Sequence, residues 1–460
     1  MEKTKAEKIL QAGLDTGADF SEIFIEENQS STIALRDKKI ETINSGTTYG
    51  IGIRLLFGTE VLYGYTSDET EANLLKIINE LALAKNNGKK QTKDLISLQN
   101  KEIHNIHPIK KYPKDVIPSQ KLLLLKRADE AARKTDSKII QASVRILESV
   151  RQIEILNSEG LSAEDKQTRC RFIVSVTAAN ENERFEGTES PGEQRGYEFF
   201  ENLNIENYAE QAAQRALLML SAGYIEGKKM PVILGNGFGG VIFHEACGHP
   251  LETESIRRSA SPFTGKLGQK IAHEAVTAID DGNIVNSWGS INIDDEGHLA
   301  QKTILIKDGI LKSYMSDKVG AIEVNVPRTG SARRESYKFS PVSRMRNTYI
   351  DNGKDSIDNM IASIDFGLYS KKMGGGSVDP ATGEFNFAVS EGYIIKNGKI
   401  DKPVRGATLI GKGHEILPKI SMVANDLEIT AGTCGASSGW VPVTVGQPTI
   451  KVDEILVGGR

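Results

Sequence analysis

A short segment, VILGNGFGGVIFHEACGHPLE, contains the residues of this chain that are best suited to metal chemistry. Two imidazoles, His244 and His249, flank Glu245 in HEACGH. A zinc peptidase helix ordinarily reads H-E-x-x-H, which places two imidazole ligands one turn apart and the glutamate beside the water that is activated. Here the second histidine comes one residue later. A five-residue step on a regular helix rotates the side chain by about 140°, against about 40° for four residues, so a regular helix would not bring both rings to one face.

The residues around these histidines predict how the spacing is corrected. The apolar run VIF before His244 indicates that His244 and Glu245 enter the interior, where unpaired polar groups are costly. Gly248 precedes His249 and Pro250 follows it, and both residue types end helices. We therefore expect the last turn to unwind and to bring His249 back towards His244.

A third ligand is needed, because a catalytic zinc site takes three protein ligands and keeps one position open for water. Cys247 lies three residues after His244 and could share its face, while Glu252 offers a carboxylate. Cys434 lies far along the chain in AGTCGASSGW, where small residues would let a thiolate approach closely. Spacing alone does not choose among these three residues.

A second pattern overlaps the first, since Gly235, Gly237 and Gly240 spell the dinucleotide fingerprint G-x-G-x-x-G after the apolar run PVIL. That fingerprint requires a βαβ unit with a second parallel strand soon after the helix. The residues that follow, LETESIRRSASPFTGKLGQK, have no strand pattern. We interpret the glycines as a turn that lets a strand and a helix approach closely.

The overall composition excludes several classes of protein. The chain has 460 residues, 39% of them hydrophobic, enough to bury the cores of two or three domains. Its 57 Lys+Arg and 61 Asp+Glu residues nearly balance, so we expect no direct nucleic-acid binding. No apolar run resembles a signal peptide or a membrane span, and the odd number of cysteines, three, argues against a disulfide framework. A cytoplasmic protein with no membrane contact is expected.

Hydrophobic periodicity predicts the elements that must position the candidate ligands. The fold class is α+β: N-terminal α+β domains at 1–88 and 119–228, with a linker or irregular loop at 89–118 between them. Residues 229–460 form a mostly antiparallel β C-terminal domain that carries the metal-binding helix. Its D-G and N-G pairs predict hairpin turns at 281–282, 308–309 and 397–398.

Several longer segments of the chain resemble one known family. They are HEACGHPLE, SWGSINIDDEGH, GILKSYMSDK, TGSARRESY, MGGGSVDPATGEFNF, KPVRGATLIG, AGTCG and VGQPTIKVD, with GADFSEIFIEE and GIGIRLLFG near the N-terminus. On these residues the chain resembles the TldD branch of the TldD/PmbA peptidases, bacterial and archaeal proteins first described as modulators of DNA gyrase.

The resemblance implies a zinc metallopeptidase with the signature H-E-x-x-x-H. It implies that His244, His249 and Cys434 hold one Zn²⁺ and that Glu245 is the general base. The other branch of the family, PmbA or TldE, lacks the metal motif and pairs with the TldD branch. The resemblance therefore also implies a heterodimer with a PmbA/TldE-like subunit, or a homodimer when this chain is made alone.

Two functions compete at this point. The first is hydrolysis of unfolded or extended peptides, which would add as a strand to the β-rich C-terminal half. Gly374, Gly375 and Gly376 in MGGGSV are candidate substrate contacts, because three glycines remove every Cβ that would keep a peptide backbone at a distance. The alternative is a non-enzymatic peptide-binding or regulatory subunit of the gyrase-modulator type. Metal content and chelator-sensitive peptide cleavage separate the two.

Overall fold

The computed structural model describes residues 1–85, 95–379 and 382–459. Its architecture is mixed α+β, as periodicity predicts. Residues 89–94 of the predicted linker lie outside the described residues, and the proposed domain boundaries remain predictions. No helix in the described ranges is both long enough and apolar enough to cross a membrane.

The first half of the chain is built on one twisted sheet. Its strands are β1 (Phe20–Arg36), β2 (Lys39–Phe57), β3 (Glu60–Thr66), β4 (Gln99–Lys101), β5 (Ile139–Asn157), β6 (Leu161–Ala179), β7 (Arg184–Glu189) and β8 (Gly192–Glu193). The main path runs β3-β2-β1-β5-β6-β4, and β7 and β8 also pair with β6. The antiparallel pairing of β1 with β5 joins the two predicted N-terminal units in one sheet. Periodicity predicts the strands individually but not this long-range pairing.

Helices cover this sheet with their apolar sides. They are α1 (Lys3–Asp15), α2 (Glu71–Leu83), α3 (Pro118–Thr135), α4 (Glu198–Asn202) and α5 (Ile205–Ser221). In α1 the buried residues Ala6, Ile9 and Leu10 recur at helical spacing and pack in one core with β1 and β2. Helices α3 and α5 pack on β5 and β6 in a second core. In α1, burial of an apolar stripe at helical spacing therefore holds the helix on the sheet.

The second half contains the remaining strands and helices. The strands are β9 (Gly223–Tyr224), β10 (Lys228–Leu234), β11 (Ala278–Asp281), β12 (Lys302–Lys307), β13 (Ile310–Leu311), β14 (Ala332–Arg333), β15 (Val342–Ser343), β16 (Asn347–Ile350), β17 (Phe366–Asp379), β18 (Glu384–Lys396), β19 (Lys399–Arg405), β20 (Thr408–Lys412), β21 (Ile420–Val423), β22 (Glu428–Ala436), β23 (Gly439–Gln447) and β24 (Ile450–Gly458). The helices are α6 (Val241–Phe243), α7 (Thr253–Arg257), α8 (Lys318–Val324), α9 (Ile357–Ala362) and α10 (Gly413–Ile416).

Two larger sheets organise these strands. One runs β17-β10-β24-β20-β18-β19-β9, and β17 also pairs with β18, which closes that part of the sheet around an apolar core. The other runs β13-β12-β11-β16-β23-β22. Most pairs are antiparallel, but β10–β17, β16–β23 and β19–β9 are parallel. The antiparallel hairpin of β22 and β23 places Cys434 directly opposite Val441.

Two of the three predicted hairpin turns form. Asp308-Gly309 connects β12 to β13 and Asn397-Gly398 connects β18 to β19, in each case with positive φ at both residues, as a type I′ turn requires. The prediction of a hairpin at Asp281-Gly282 was wrong. Strand β11 ends at Asp281 and pairs with the distant strands β12 and β16, so long-range pairing overrides the local turn signal.

The glycines of the dinucleotide pattern serve close backbone approach. A Cβ on Gly235 would lie 2.3 Å from the carbonyl oxygen of Lys371, and one on Gly240 would lie 2.4 Å from that of Gly446. Strand β10 is followed by a short 3₁₀ turn at Gly237–Gly240, and its parallel neighbour, β17, comes far later in the chain. The segment is therefore a tight turn and lacks the βαβ context of a nucleotide site.

Buried ion pairs join the first sheet to the C-terminal half. Arg54 of β2 contacts Glu22 at 2.6 Å and Glu296 at 2.7 Å, with all three side chains almost fully buried. Arg334 contacts Glu22 at 2.8 Å from the other side. Removing one partner of such a network would leave an uncompensated buried charge, which is strongly destabilising. These pairs therefore define how the two halves are docked.

Candidate metal centre

The backbone around His244 and His249 forms a widened helical turn. Helix α6 continues into a π-helical turn at His244–Gly248, in which the N–H of His249 donates to the carbonyl oxygen of His244. A turn closed by this five-residue hydrogen bond stacks His249 over His244. The two rings lie 5.3 Å apart between centroids, at 80° to each other. The turn does bring His249 back towards His244, as expected, but it does so by widening to include an added residue and not by a break of the helix.

Neighbouring residues explain where this turn forms and where it ends. Phe243, Ala246 and Cys247 are buried in the core of the C-terminal half and anchor the apolar side of the segment. A Cβ on Gly248 would lie 2.2 Å from Sδ of Met345, so glycine leaves room for that side chain against the turn. Pro250 has no N–H to continue the helix, and the chain changes to a 3₁₀ turn at His249–Leu251.

Cys434 completes a cluster of three candidate ligands. Its Sγ lies 3.1 Å from Nε2 of His249, and one ligand atom from each of His244, His249 and Cys434 lies within 4.8 Å of the others. All three side chains are buried. The β22–β23 hairpin therefore brings a residue 185 positions away to the π turn.

The other two candidate ligands lie elsewhere or act differently. Cys247 belongs to the apolar core, and burial raises the pKa of its thiol. Glu252 places Oε2 2.9 Å from Nδ1 of His249, and its Oε1 accepts the N–H of Met345 at 3.1 Å. Since a carboxylate only accepts, Nδ1 of His249 donates to Glu252, and Nε2 is the nitrogen that faces Cys434. Glu252 thus orients a candidate ligand.

Arg344 holds the candidate thiolate from its backbone side. Its guanidinium donates to the carbonyl oxygen of Cys434 at 2.7 Å, to that of Gly439 at 2.9 Å and to Oγ of Ser438 at 3.0 Å. The side chain is fully buried. Nothing in the local sequence pattern predicts this role, because Arg344 lies far from Cys434 along the chain. The three-residue step from His249 to Glu252 was, in contrast, a signal for an orienting carboxylate.

The charges of the cluster favour a thiolate. Burial raises the pKa of Cys434, but the positive charges and hydrogen bonds of His249 and His244 outweigh it and hold that pKa well below its usual value. Burial lowers the pKa of His249, whereas Glu252 and Cys434 raise it well above its usual value. The thiolate is the form in which cysteine binds metals.

The donor set suits a zinc ion. Two imidazoles and one thiolate within a buried cluster are a combination that zinc binds with one position left for water. In the described part of the chain, Nδ1 of His244 is buried without any hydrogen-bond partner. Such an orphaned nitrogen is costly unless something binds near it. The residues present therefore fit the metal that the sequence motif suggests.

Glu245 lies at the more open side of the cluster. Its side chain is 27% exposed, and its Oε2 lies 3.7 Å from Nε2 of His249. This carboxylate is therefore close to the candidate ligands but remains accessible to solvent. It can exchange protons with a molecule that enters from outside.

The three glycines lie in β17, next to β18. The pairing is irregular between Met373 and Gly376, and a Cβ on Gly376 would lie 2.1 Å from the carbonyl oxygen of Asn386. A Cβ on Gly375 would meet no atom within 4 Å. Strand β10 pairs with β17 only as far as Ser370, and among the described strands none pairs with the 371–379 edge on that side. An accessible strand edge therefore includes Gly375.

Three family models cover most of the chain. PmbA/TldA metallopeptidase domain 1 matches residues 21–84, the central domain matches 111–220, and the C-terminal domain matches 227–459. The chain belongs to this PmbA/TldD family. The resemblance found in the sequence is thereby confirmed, and all three candidate ligands lie in the range that the C-terminal model matches.

Relatives within the PmbA/TldD family span nearly the full length. A "Metalloprotease TldD homolog" of Buchnera aphidicola is 37% identical over 455 residues, which cover 96% of this chain and 93% of that protein. A metalloprotease of Methanocaldococcus jannaschii is 33% identical and covers 97% and 98%. A "Zinc metalloprotease TldD homolog" of Saccharolobus solfataricus is 26% identical and covers 98% and 99%.

Solved structures share the fold of this PmbA/TldD family member. A protein of Thermotoga maritima described as a modulator of a DNA gyrase superimposes with a TM-score of 0.81 at 19% identity, covering all of both chains. TldE from Thermococcus kodakarensis gives 0.77 at 19% identity, covering 99% of this chain and 100% of TldE. At these identities the likeness concerns the fold alone.

Proposed function

We propose that this chain is a cytoplasmic zinc-dependent peptidase that hydrolyses unfolded or extended peptides. His244, His249 and Cys434 would hold the ion, and Glu245 would be the general base. The observation that carries the proposal is the buried cluster of two imidazoles and one thiolate with an accessible carboxylate beside it. The name of the Saccharolobus solfataricus relative, a zinc metalloprotease, supports the choice of metal.

Each residue around the proposed metal site has a separate role in the reaction. A zinc ion held there would acidify a water molecule and polarise the scissile carbonyl. Glu245 accepts the proton of the attacking water and returns it to the leaving amine, since its carboxylate is close to His249 and open to solvent. Glu252 keeps His249 in the tautomer whose Nε2 lone pair faces the cluster. Arg344 keeps the Cys434 backbone in place.

An extended peptide fits the accessible edge of β17. A chain that adds to a strand edge is bound by backbone hydrogen bonds, which depend little on its sequence. Residues 371–379 offer such an edge, and strand β17 contacts the π turn that contains His244. We propose that Gly374, Gly375 and Gly376 contact the substrate backbone from this edge.

The metal assignment is tested by zinc content and peptide cleavage, each with and without a chelator. Glu245→Gln should keep its zinc and lose turnover by about 100-fold or more, because the base is removed and the ligands remain. Cys434→Ala should lose zinc, whereas Cys247→Ala, the matched cysteine control, should retain it. Full activity of Glu245→Gln would refute the base, and zinc loss confined to Cys247→Ala would refute the ligand.

We further propose that the chain works as a dimer, with a PmbA/TldE-like subunit or with a second copy of itself. Membership of a family with two branches supports this proposal, as does the fold shared with TldE. Mass measurement in solution at micromolar concentration tests it for the chain alone. A monomer under those conditions would count against self-association.

A further inference from the structure

A cavity of about 230 Å³ lies between the first sheet and the C-terminal half. Arg151 of β5 and Arg169 of β6 line it from one side, and Arg333 and Arg334 line it from the other. Trp440, Val441 and Pro442 of β23 form a further wall, with the Trp440 side chain 63% exposed. Four guanidinium groups and the carboxylates of Asp295 and Glu335 thus line a space that is smaller than the ~300–1,000 Å³ of a drug-sized ligand site.

Two of these arginines already have carboxylate partners. Arg151 forms ion pairs with Glu26 and, at 2.9 Å, with Asp295. Arg334 forms its ion pair with Glu22 at 2.8 Å. Both guanidinium groups are therefore neutralised by the protein itself.

In the described ranges, the other two arginines of the cavity have no carboxylate partner at ion-pair distance. Within the described residues, neither Arg169 nor Arg333 forms an ion pair, although each is only 4% exposed. Arg333 donates to the carbonyl oxygen of Met345 at 2.7 Å. Arg169 donates only to neutral oxygens, those of Gln167, Trp288, Gln194 and Ser290. Asp295, which pairs with Arg151, also attracts Arg333, and it lines the cavity together with Glu335. The four guanidinium groups outnumber these two carboxylates, so the cavity wall carries a net positive charge, which is costly to bury without a counter-charge.

Burial and the neighbouring cations lower the pKa values of both Arg169 and Arg333. Burial, followed by the charges of Arg333 and Arg151, lowers the pKa of Arg169 to about 9. Burial also lowers the pKa of Arg333 to about 10, with Arg344 and Arg151 adding to the effect against the attraction of Asp295. An anion in the cavity would relieve this repulsion.

The cavity is next to the candidate metal centre. Val441 in its wall is the direct antiparallel partner of Cys434, and such partners have Cα atoms about 4.5–5.5 Å apart. Arg333 is linked to the same centre by a second route, because Met345 accepts from Arg333 and donates to Glu252. A group bound to the arginines would thus lie beside the reacting part of the site.

We propose that this cavity, through Arg169 and Arg333, binds a carboxylate group of the peptide substrate. The inference rests on the proposed peptidase function and specifies its substrate: a peptide with a free C-terminal carboxylate or an acidic side chain close to the cleaved bond. Guanidinium groups recognise carboxylates through paired, charge-assisted hydrogen bonds. The small volume suits a peptide end or a single side chain and excludes a folded surface.

The test measures binding, so that it does not depend on turnover. The full-length Glu245→Gln protein is titrated in a calorimeter with three matched peptides: a free acid, its C-terminal amide, and an amide with one added glutamate. The free acid, the glutamate peptide or both should bind about tenfold or more tightly than the plain amide, the gain expected for a hydrogen-bonded charge. Which peptide gains identifies the source of the carboxylate.

Substitutions of the cavity arginines test whether a preference for carboxylate-bearing peptides comes from this cavity. Arg333→Gln should abolish the preference for a carboxylate, and Arg333→Lys should retain part of it. Arg145→Gln, an exposed arginine on the same strand as Arg151, is the matched control and should leave the preference unchanged. A preference that survives Arg333→Gln together with Arg169→Gln would overturn the assignment.

The comparison of the three peptides needs no substitution at the arginines, so it remains valid even if an arginine variant misfolds. Equal binding of all three peptides, including no measurable binding of any, would overturn the inference without any variant. If the wild-type protein nevertheless cleaved peptides, the proposed function would stand while the inference failed. If the protein preferred a carboxylate but cleaved no peptide, the cavity would be a carboxylate site and the proposed peptidase function would fail.

Discussion

At the scale of single residues, Glu252 determines which nitrogen of His249 is available. Its carboxylate accepts the Nδ1 proton at 2.9 Å, and a second oxygen is held by the N–H of Met345. Carboxylates that orient a ligand histidine raise its basicity and fix its ring. The most informative substitution outside the ligands themselves is therefore at this position.

We predict that Glu252→Ala weakens zinc binding by about 10- to 100-fold, because His249 loses the group that fixes its tautomer. Glu252→Gln should weaken it less, since the amide oxygen can still accept from Nδ1. Competition with a chelator of known affinity measures the change. Glu254→Gln is the control, because Glu254 pairs with Arg257 and Arg258 and should not affect zinc binding. Unchanged affinity in Glu252→Ala would contradict the orienting role.

At the scale of elements, the π turn at His244–Gly248 is what makes a five-residue histidine spacing usable. The turn depends on close packing, since Met345 occupies the space that a side chain on residue 248 would need. Its position relative to β22 depends on the β22–β23 hairpin. Changes in either element should alter zinc binding without touching a ligand.

Gly248→Ala should destabilise the protein by about 1–3 kcal/mol and weaken zinc binding, because the added methyl overpacks the turn against Met345. Chemical denaturation and zinc competition measure the two effects. Gly432→Ala is the control: it is two residues from Cys434, but its Cβ would make only an ordinary contact with Val443 at 3.6 Å. Equal stability of both variants would show that the turn accommodates a side chain.

Gly375→Val should reduce peptide turnover while zinc content and the free energy of unfolding stay unchanged. The Cβ of a side chain at this position would meet no protein atom within 4 Å, so we expect the main effect of the valine to be on a peptide that approaches this edge of β17. Gly46→Val, an equally open glycine in β2, should leave turnover unchanged. Normal turnover of Gly375→Val would remove the glycine run from the substrate site.

At the scale of the whole molecule, the docking of the two halves depends on buried polar contacts, and one of them is sensitive to pH. His107, in the segment before α3, accepts the N–H of Asn286 at 3.0 Å. In the described part of the chain its buried Nε2 has no partner. Burial, with a further contribution from Arg169, lowers the pKa of His107 to about 4.

Because the unfolded histidine has a pKa of about 6.5, protons bind the unfolded chain more tightly, and stability falls as the pH drops from about 6.5 to about 4. His107 should account for about 3 kcal/mol of this loss when it is complete. His107→Asn, whose amide oxygen can accept from Asn286, should therefore lose less stability between pH 7 and pH 4.5. Denaturation at both values measures it, with the exposed His104→Asn as control. An identical loss in His107→Asn would contradict the assignment.

The amino-acid sequence alone pointed to the two histidines, to Glu245 as the candidate base, to the mixed α+β class and to two of the hairpin turns. These features depend on local spacing: apolar residues recur in α1 at helical period, and the Asp308-Gly309 pair suits a type I′ turn in any context. The family resemblance also came from contiguous segments. It suggested Cys434, which spacing alone left equal with Cys247 and Glu252.

How the distant parts of the chain meet became clear from the three-dimensional structure. It joined β1 to β5, brought Cys434 across 185 positions to His249, and placed Arg344 behind it. It also replaced the expected unwinding by a π turn and the expected hairpin at Asp281 by long-range strand pairing. Such contacts depend on which surfaces pack together. Hydrophobic periodicity shows which face of an element is buried, but it does not show which distant element packs against that face.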